Sequence, residues 1–256
     1  MSIKTDLAKE IIDRIFPEYS KAKTFFRGKT KITRILIDPQ EEKLFQKPAG
    51  RYVTIEADSP RLPYENFDEE AEAVAAELRE LLPKDGNILA VGLGSSFLTA
   101  DSIGPKVTAR TFCKSFGEKK LFLLSPGTEG RTGMEPGRLV RAAVKEFSPA
   151  GVILIDSLMA EDIFHICRTV QITDAGLAPG SGICERKNAL NAQYLGVPCV
   201  AIGTPTAAAF SGKEKVCVSS NDIDILAQRA AALIAAGISL AVFPELGLDF
   251  IKETAL

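Results

Sequence analysis

The apolar residues of the chain follow two patterns, and each pattern predicts a different kind of element. Short runs with almost no polar residue alternate with longer segments in which apolar residues recur every three or four positions. Uninterrupted apolar runs are typical of strands buried on both faces of a sheet, and the helical spacing indicates helices that cover those faces. The predicted strands are residues 32–37, 52–57, 88–92, 121–124, 152–155, 170–172 and 197–202.

Four segments have the helical pattern. The clearest covers residues 67–82, where acidic residues favour the start and Pro83 and Gly86 stop the helix. The others are residues 139–147, 186–195 and 222–242, the last with a break expected near Gly237. Strands that alternate with helices predict a three-layer α/β/α sandwich around a mostly parallel, twisted sheet. We expect one domain over residues 1–256, with residues 1–60 as a strand-rich N-terminal extension.

The composition is that of an ordinary globular protein, and it excludes several kinds of site. The 256 residues carry a formal net charge of −2, which argues against a general nucleic-acid-binding protein. The single histidine, His165, excludes zinc sites built on paired histidines, and its apolar neighbours favour a packing role. Five cysteines without a C-x-x-C pair indicate reduced thiols and a cytoplasmic protein. The longest uncharged stretch, residues 230–244, is shorter than a membrane-spanning helix needs.

Two aspartates stand where functional residues collect in such a sheet, at the carboxyl ends of strands. Asp101 lies in the loop after residues 88–92, and Asp156 directly follows the apolar run 152–155. Position alone leaves open that each of them caps a helix. A carboxylate at the end of a buried strand must be paired, hydrogen-bonded or protonated. Two of them at one edge could share a proton and activate water, or could hold a divalent metal.

The loop that carries Asp101 begins with Gly92-Leu93-Gly94, which suggests a dinucleotide-binding turn. Such a motif has a third glycine, and Phe97 stands near that place in this chain. The sequence therefore argues against a nucleotide site here.

Glycine-rich loops follow four of the predicted strands. They cover residues 91–105, 125–137, 173–182 and 203–209. Because glycine lets the backbone N–H groups approach a ligand closely, four such loops at one edge predict a binding crevice. We expect the third loop to contact the substrate through Asp174, and its Gly180, Ser181 and Gly182 to stabilise an oxyanion.

Seven segments, in this order, resemble the germination proteases of spore-forming bacteria, which degrade small acid-soluble spore proteins. They are KTDLAKE at 4–10, KPAGRYVTIEA at 47–57, VGLG…TADSIGP at 91–105, SPGTEGRTGME at 125–135, ILIDSLMA at 153–160, QITDAGLAPGSGI at 171–183 and LGVPCVAIGTPT at 195–206. Together they span nearly the whole chain. The resemblance implies a fold similar to that of the hydrogenase-maturation proteases. It also implies aspartate-dependent peptide hydrolysis, with Asp101 and Asp156 at the positions of the family's two essential aspartates.

The resemblance further implies a zymogen that removes its own N-terminus, with the cut between Asp6 and Leu7, and assembly as a homo-oligomer, a tetramer. The chain also departs from the family pattern. It is shorter than typical members. A cut after Asp6 would remove a segment of only six residues. Ala178 stands where the family commonly has His, and residues 184–187 replace a Gly-Asn-Lys-Arg sequence. These departures bear on zymogen control and on catalytic efficiency.

The sequence thus predicts an endopeptidase that hydrolyses small acid-soluble, DNA-binding spore proteins in the cytoplasm of the spore during germination. We expect no cofactor, no direct contact with nucleic acid and no membrane partner, and a need for a divalent metal is left open. Two alternatives stand beside this prediction. One is a maturation-type protease whose two aspartates bind a metal held by the substrate. The other is a homologue that binds spore proteins without cleaving them.

Overall fold

One nine-stranded sheet runs through the computed structural model, which describes residues 5–62, 65–112, 119–177, 189–211 and 215–255. In chain order the strands are β1 (Ala22–Arg27), β2 (Thr30–Ile37), β3 (Gly50–Glu56), β4 (Ile88–Gly92), β5 (Leu121–Leu124), β6 (Gly151–Ala160), β7 (Thr169–Thr173), β8 (Cys199–Ser211) and β9 (Lys215–Val218). Their order across the sheet is β1-β2-β3-β7-β8-β6-β4-β5, and β9 pairs with β8. All seven predicted strands are confirmed. β6 and β8 extend well past the predicted ends.

Both faces of the sheet are covered by helices, which confirms the α/β/α sandwich. The helices are α1 (Ala8–Ile15), α2 (Glu42–Phe45), α3 (Phe67–Leu81), α4 (Ile103–Arg110), α5 (Glu129–Thr132), α6 (Pro136–Phe147), α7 (Ala192–Leu195), α8 (Ile223–Val242) and α9 (Leu248–Ala255). One face packs against α3, α4, α8 and α9. The opposite face packs against α6 and α7 at one end and α1 and α2 at the other.

The sheet is mixed, which corrects the expectation of a mostly parallel one. Neighbouring strands are parallel only from β8 through β6 and β4 to β5. The pairs from β1 to β3, both partners of β7, and β9 are antiparallel. Short connections explain the antiparallel pairs β1–β2 and β8–β9, because a parallel pair needs a crossover of a dozen residues or more. β1 and β2 are joined by a two-residue turn at Gly28, whose φ is +57°.

The predicted helices over 67–82, 139–147 and 222–242 are confirmed. Of the fourth, predicted over 186–195, the described part is helical only in α7, and residues 186–188 lie outside that part. The expected break near Gly237 is wrong, because α8 is continuous from Ile223 to Val242. A Cβ at Gly237 would lie 2.3 Å from Cγ1 of Val74. The glycine therefore lets α8 pack closely on α3 rather than ending the helix.

α8 is long and apolar enough to cross a membrane by length and composition, yet 78% of its most apolar window is buried inside the protein. It packs against α3 and α4 in the larger core cluster. Burial of this kind is typical of the core helix of a globular domain, and it accounts for the long uncharged stretch in the sequence. The division into a single domain with an extension over residues 1–60 stays a prediction, although β1, β2 and β3 belong to the same sheet as the other strands.

Candidate functional site

Asp101 lies beyond the carboxyl end of β4, as predicted. It is the last residue of a short 3-10 turn that begins at Thr99, and its main-chain oxygen accepts a hydrogen bond of 2.8 Å from the N–H of Ser95. The hydroxyl of Thr206, on β8, donates to the carbonyl of Ala100 at 2.5 Å. The N-cap position of α4 is Ser102, so Asp101 does not cap that helix. The turn is thus held by the neighbouring loop and by β8.

The glycines before Asp101 are needed for close packing. Gly94 has a φ of +101°, and a Cβ there would lie 2.2 Å from the main-chain oxygen of Asp101 and 2.9 Å from its Oδ1. A Cβ at Gly92 would lie 2.2 Å from the carbonyl oxygen of Gly104, at the start of α4. Both glycines therefore let the Asp101 turn and α4 sit directly against the end of β4. This packing explains the glycine pair without a nucleotide.

Asp156 lies inside β6, one residue beyond the last pair that β6 makes with β4. Its side chain is buried, with 9% exposure, and its Oδ1 accepts a hydrogen bond of 2.9 Å from the N–H of Ser157. β6 continues to Ala160, so Asp156 does not cap a helix near Leu158. The main chain joins the two aspartate segments directly, because the N–H of Leu93 donates to the carbonyl of Ile155 at 2.8 Å.

The two carboxyl groups have perturbed pKa values. Burial raises the pKa of Asp156 to about 8, and the negative charge of Asp101 raises it in the same direction. Burial also raises the pKa of Asp101. Burial disfavours the charged form of a carboxyl group, and a second carboxylate nearby adds to that cost. Asp156 with a pKa of about 8 therefore favours its protonated form at neutral pH.

The N-terminal segment lies across this edge of the sheet. The N–H of Asp6 donates to the carbonyl of Met159, and the N–H of Met159 donates to Oδ2 of Asp6, both at 2.8 Å. Leu7 is fully buried and packs against Leu158 and Ala160 of β6. The charge of Asp6 also contributes to the raised pKa of Asp156. The predicted cleavage point is thus brought to the Asp156 end of β6.

The carbonyl oxygen of Asp6 accepts two side-chain hydrogen bonds. Nζ of Lys47 lies 3.0 Å from it and Nε2 of Gln171 lies 2.8 Å from it. Oε1 of Gln171 accepts a hydrogen bond of 2.8 Å from the N–H of Ala8. The sequence reasoning did not single out Lys47 or Gln171. Gln171 could have been noticed, because it is a polar residue inside an apolar strand.

The predicted substrate loop is only partly described. Asp174 binds the side chain of Arg51, with Oδ2 2.8 Å from Nε, and its Oδ1 accepts the Arg51 N–H at 2.7 Å. These bonds tie the end of β7 to β3, and a contact of Asp174 with substrate stays a prediction. Gly180, Ser181 and Gly182 lie outside the described residues, as does Ala178.

His165 lies beside polar side chains. The Nδ1 of His165 lies 2.9 Å from the hydroxyl of Thr169, and its Nε2 lies 3.8 Å from Oε1 of Glu10. Both ring nitrogens thus face polar side chains, which the apolar sequence around His165 did not indicate. In the part of the chain that the structure describes, no three His, Cys, Asp or Glu side chains group as a metal site would require.

Comparison with known proteins gives consistent results. The family model described as germination protease matches residues 21–232, which include both aspartates. The germination protease of Clostridium perfringens (strain 13) is 32% identical over 229 residues, covering 80% of this chain and 70% of its own. That of Caldanaerobacter subterraneus subsp. tengcongensis is 35% identical over 227 residues, covering 80% and 69%.

Among solved structures, the [NiFe] hydrogenase maturation protease HycI from Thermococcus kodakarensis is similar over 63% of this chain and 98% of its own. Its sequence identity is 19% and its TM-score 0.41. A TM-score this low does not establish a shared fold, so the fold is assigned from the sheet and helices themselves.

Proposed function

The chain belongs to the germination protease family, and we propose that it is an endopeptidase that uses Asp101 and Asp156 to hydrolyse small acid-soluble spore proteins. The observation that carries this proposal is the aspartate pair at one edge of the sheet, with a peptide segment of the chain lying beside it. Paired carboxyl groups with separated pKa values can divide the roles of acid and base. The names of the relatives support a protease, and the identity of the substrate comes from the resemblance.

The two carboxyl groups differ in burial, and on this difference we base their roles as base and acid. Asp101, the less buried of the two, acts as the general base that takes a proton from water while the water oxygen bonds to the scissile carbon. Asp156, protonated at neutral pH, donates a hydrogen bond to the carbonyl oxygen as negative charge develops on it. When the C–N bond breaks, the proton held by Asp101 passes to the leaving nitrogen. Asp101 is then ready to accept a proton from the next water molecule.

We extend the proposal to the chain's own N-terminus. The peptide bond between Asp6 and Leu7 lies at the Asp156 end of β6, held by the main chain of Met159 and by the cluster around Leu7. Such docking presents one peptide bond in a fixed orientation, which favours a single cut. We further propose that the enzyme works as a tetramer in the cytoplasm of the spore, as the resemblance implies.

The test is intact-mass analysis of the purified protein incubated with a small acid-soluble spore protein, with and without a chelator. We expect the wild type to cleave the substrate and its own Asp6–Leu7 bond in both conditions. Asp101→Asn and Asp156→Asn should lose both cleavages, and the matched control Asp249→Asn, whose side chain is exposed, should keep them.

Each contrary outcome has a distinct meaning. Equal cleavage by wild type and both aspartate variants would refute the aspartate mechanism. Loss of activity in the chelator would favour the metal-directed alternative. Binding of the spore protein without turnover in any variant would favour the non-catalytic alternative.

A further inference from the structure

Building on the proposed function, we propose that Lys47 and Gln171 are catalytic residues, which together bind the scissile carbonyl oxygen and stabilise the negative charge that develops on it. The scissile bond in question is the one that follows Asp6. A substrate bond that replaces it would be held in the same way.

The first support is convergence on one oxygen. Nζ of Lys47 and Nε2 of Gln171 lie 3.0 and 2.8 Å from the carbonyl oxygen of Asp6. Lys47 follows α2, and Gln171 lies in the middle of β7, so two separate elements supply the donors. Donors at about 2.7–3.1 Å are the arrangement that stabilises an oxyanion. Burial lowers the pKa of Lys47, and its amine can donate this hydrogen bond in either protonation state. When the amine is protonated, the bond is charge-assisted and stronger than a neutral one.

The second support is the way Gln171 brackets the peptide bond. Its Nε2 donates to the carbonyl of Asp6 while its Oε1 accepts from the N–H of Ala8 at 2.8 Å. The two contacts fix the direction of the carboxamide and lie on either side of Leu7.

The third support is alignment with Asp156. Gln171 pairs with Gly203 on β8, and Gly203 pairs with Asp156 on β6, so the three residues form a row across the sheet. Their side-chain positions share a face, because Val170 and Ile172 belong to the core cluster of the opposite face. Two strand spacings of about 4.8 Å separate Gln171 from Asp156. Gln171 and the acid Asp156 thus share the face of the sheet on which Leu7 packs against Leu158 and Ala160.

The number of donors suits the chemistry. In the uncleaved chain the two lone pairs of the carbonyl oxygen are taken by Lys47 and Gln171. When water adds to the carbon, the C=O π electrons move to the oxygen and create a third lone pair. Asp156 can donate a hydrogen bond to that pair, which exists only in the tetrahedral intermediate, and it keeps its proton when the intermediate collapses. Lys47 and Gln171 keep their protons throughout.

The test compares Lys47→Met and Gln171→Met with the matched control Lys43→Met, an exposed lysine on α2. For each protein we would measure kcat and KM on a spore protein, the rate of self-cleavage, and the melting temperature. Loss of one oxyanion donor typically lowers kcat by about 10²–10³-fold. We expect that loss for Lys47→Met and Gln171→Met, with KM nearly unchanged, and wild-type values for the control. Lys47→Arg, which retains an N–H donor, should recover part of kcat.

A spectroscopic measurement keeps the test independent of turnover. Asp6-Leu7 is the one Asp-Leu pair in the chain, so labelling Asp with ¹³C at the carbonyl and Leu with ¹⁵N gives a single coupled signal. In the uncleaved Asp101→Asn protein, adding Lys47→Met or Gln171→Met should move this carbonyl resonance upfield because a hydrogen bond is lost.

The outcomes separate the two proposals. If the aspartate variants are inactive while Lys47→Met and Gln171→Met retain wild-type kcat, the donor pair is refuted and the protease mechanism stands. An unmoved carbonyl resonance, or a change confined to KM or melting temperature, also overturns the donor pair. If the wild type cleaves nothing, the proposed function fails and the catalytic role of the pair fails with it.

Discussion

Replacing Asp156 with Asn should stabilise the protein, and increasingly so as the pH rises. Burial raises the pKa of Asp156 from 3.8 in the reference state to about 8 in the folded chain. Between these values the folded protein holds a proton that the unfolded chain releases, so the free energy of unfolding falls as the pH rises. Asn has nearly the shape of the protonated acid and does not titrate in this range. The free energy of unfolding of Asp156→Asn therefore does not fall with pH for this reason.

The size of this change in stability follows from the shift in the pKa of Asp156. Each pKa unit corresponds to about 1.4 kcal/mol. Between pH 5 and pH 8 the wild type traverses about three such units, and Asp156 is nearly fully buried, so solvent screening is small. The stability advantage of Asp156→Asn over the wild type should therefore grow by about 4 kcal/mol across this interval.

Urea denaturation of intact, mass-verified protein at pH 5, 6, 7 and 8 would measure this difference. Asp249→Asn is the matched control, because that side chain is 94% exposed. Its stability difference from the wild type should stay within about 0.5 kcal/mol at every pH. An advantage of Asp156→Asn that changes by less than about 1 kcal/mol over the interval would refute the reasoning from burial.

Two further predictions concern single substitutions elsewhere. Gly94→Ala should cost about 1–3 kcal/mol of stability and lower kcat about 10²-fold, because its Cβ would displace Asp101. Gly196→Ala, with a φ of +78° and open space around it, should keep full kcat, and equal kcat for both variants would contradict the argument. Arg34→Met should cost about 1–3 kcal/mol in urea denaturation, because it removes the 2.7 Å ion pair of Glu77, whose side chain is 1% exposed and keeps only Arg27 at 3.7 Å. Adding Glu77→Leu should recover much of that loss, and a double variant as unstable as the single one would contradict this account.

Hydrophobic periodicity located the seven strands and three of the helices because it is a local property. A run such as Ile88–Gly92 is apolar at every position, and no alternative element buries it as well. The ends of β6 and β8 were missed for the same reason. Beyond Ile155, β6 continues through Asp156 and Ser157, and pairing with β8 rather than apolar character keeps it extended. The hydrogen bonds come from β8, and the sequence of β6 alone does not predict them.

The two aspartates could be placed at one edge from sequence because the carboxyl ends of parallel strands meet there. Their surroundings could not be predicted in the same way. The glycine pair before Asp101 resembles the start of a nucleotide motif, and only its contacts with Asp101 and Gly104 reveal a packing role.

By itself the sequence determined the layered α/β fold, the positions of Asp101 and Asp156, and the family to which the chain is similar. The tertiary structure decided the direction of the outer strands and the docking of the N-terminal segment. It also brought Lys47 and Gln171, which are 41 and 165 residues from Asp6 along the chain, to one carbonyl oxygen. Periodicity and motif spacing report neighbours along the chain. Contacts between distant segments arise only when the sheet and its helices pack together.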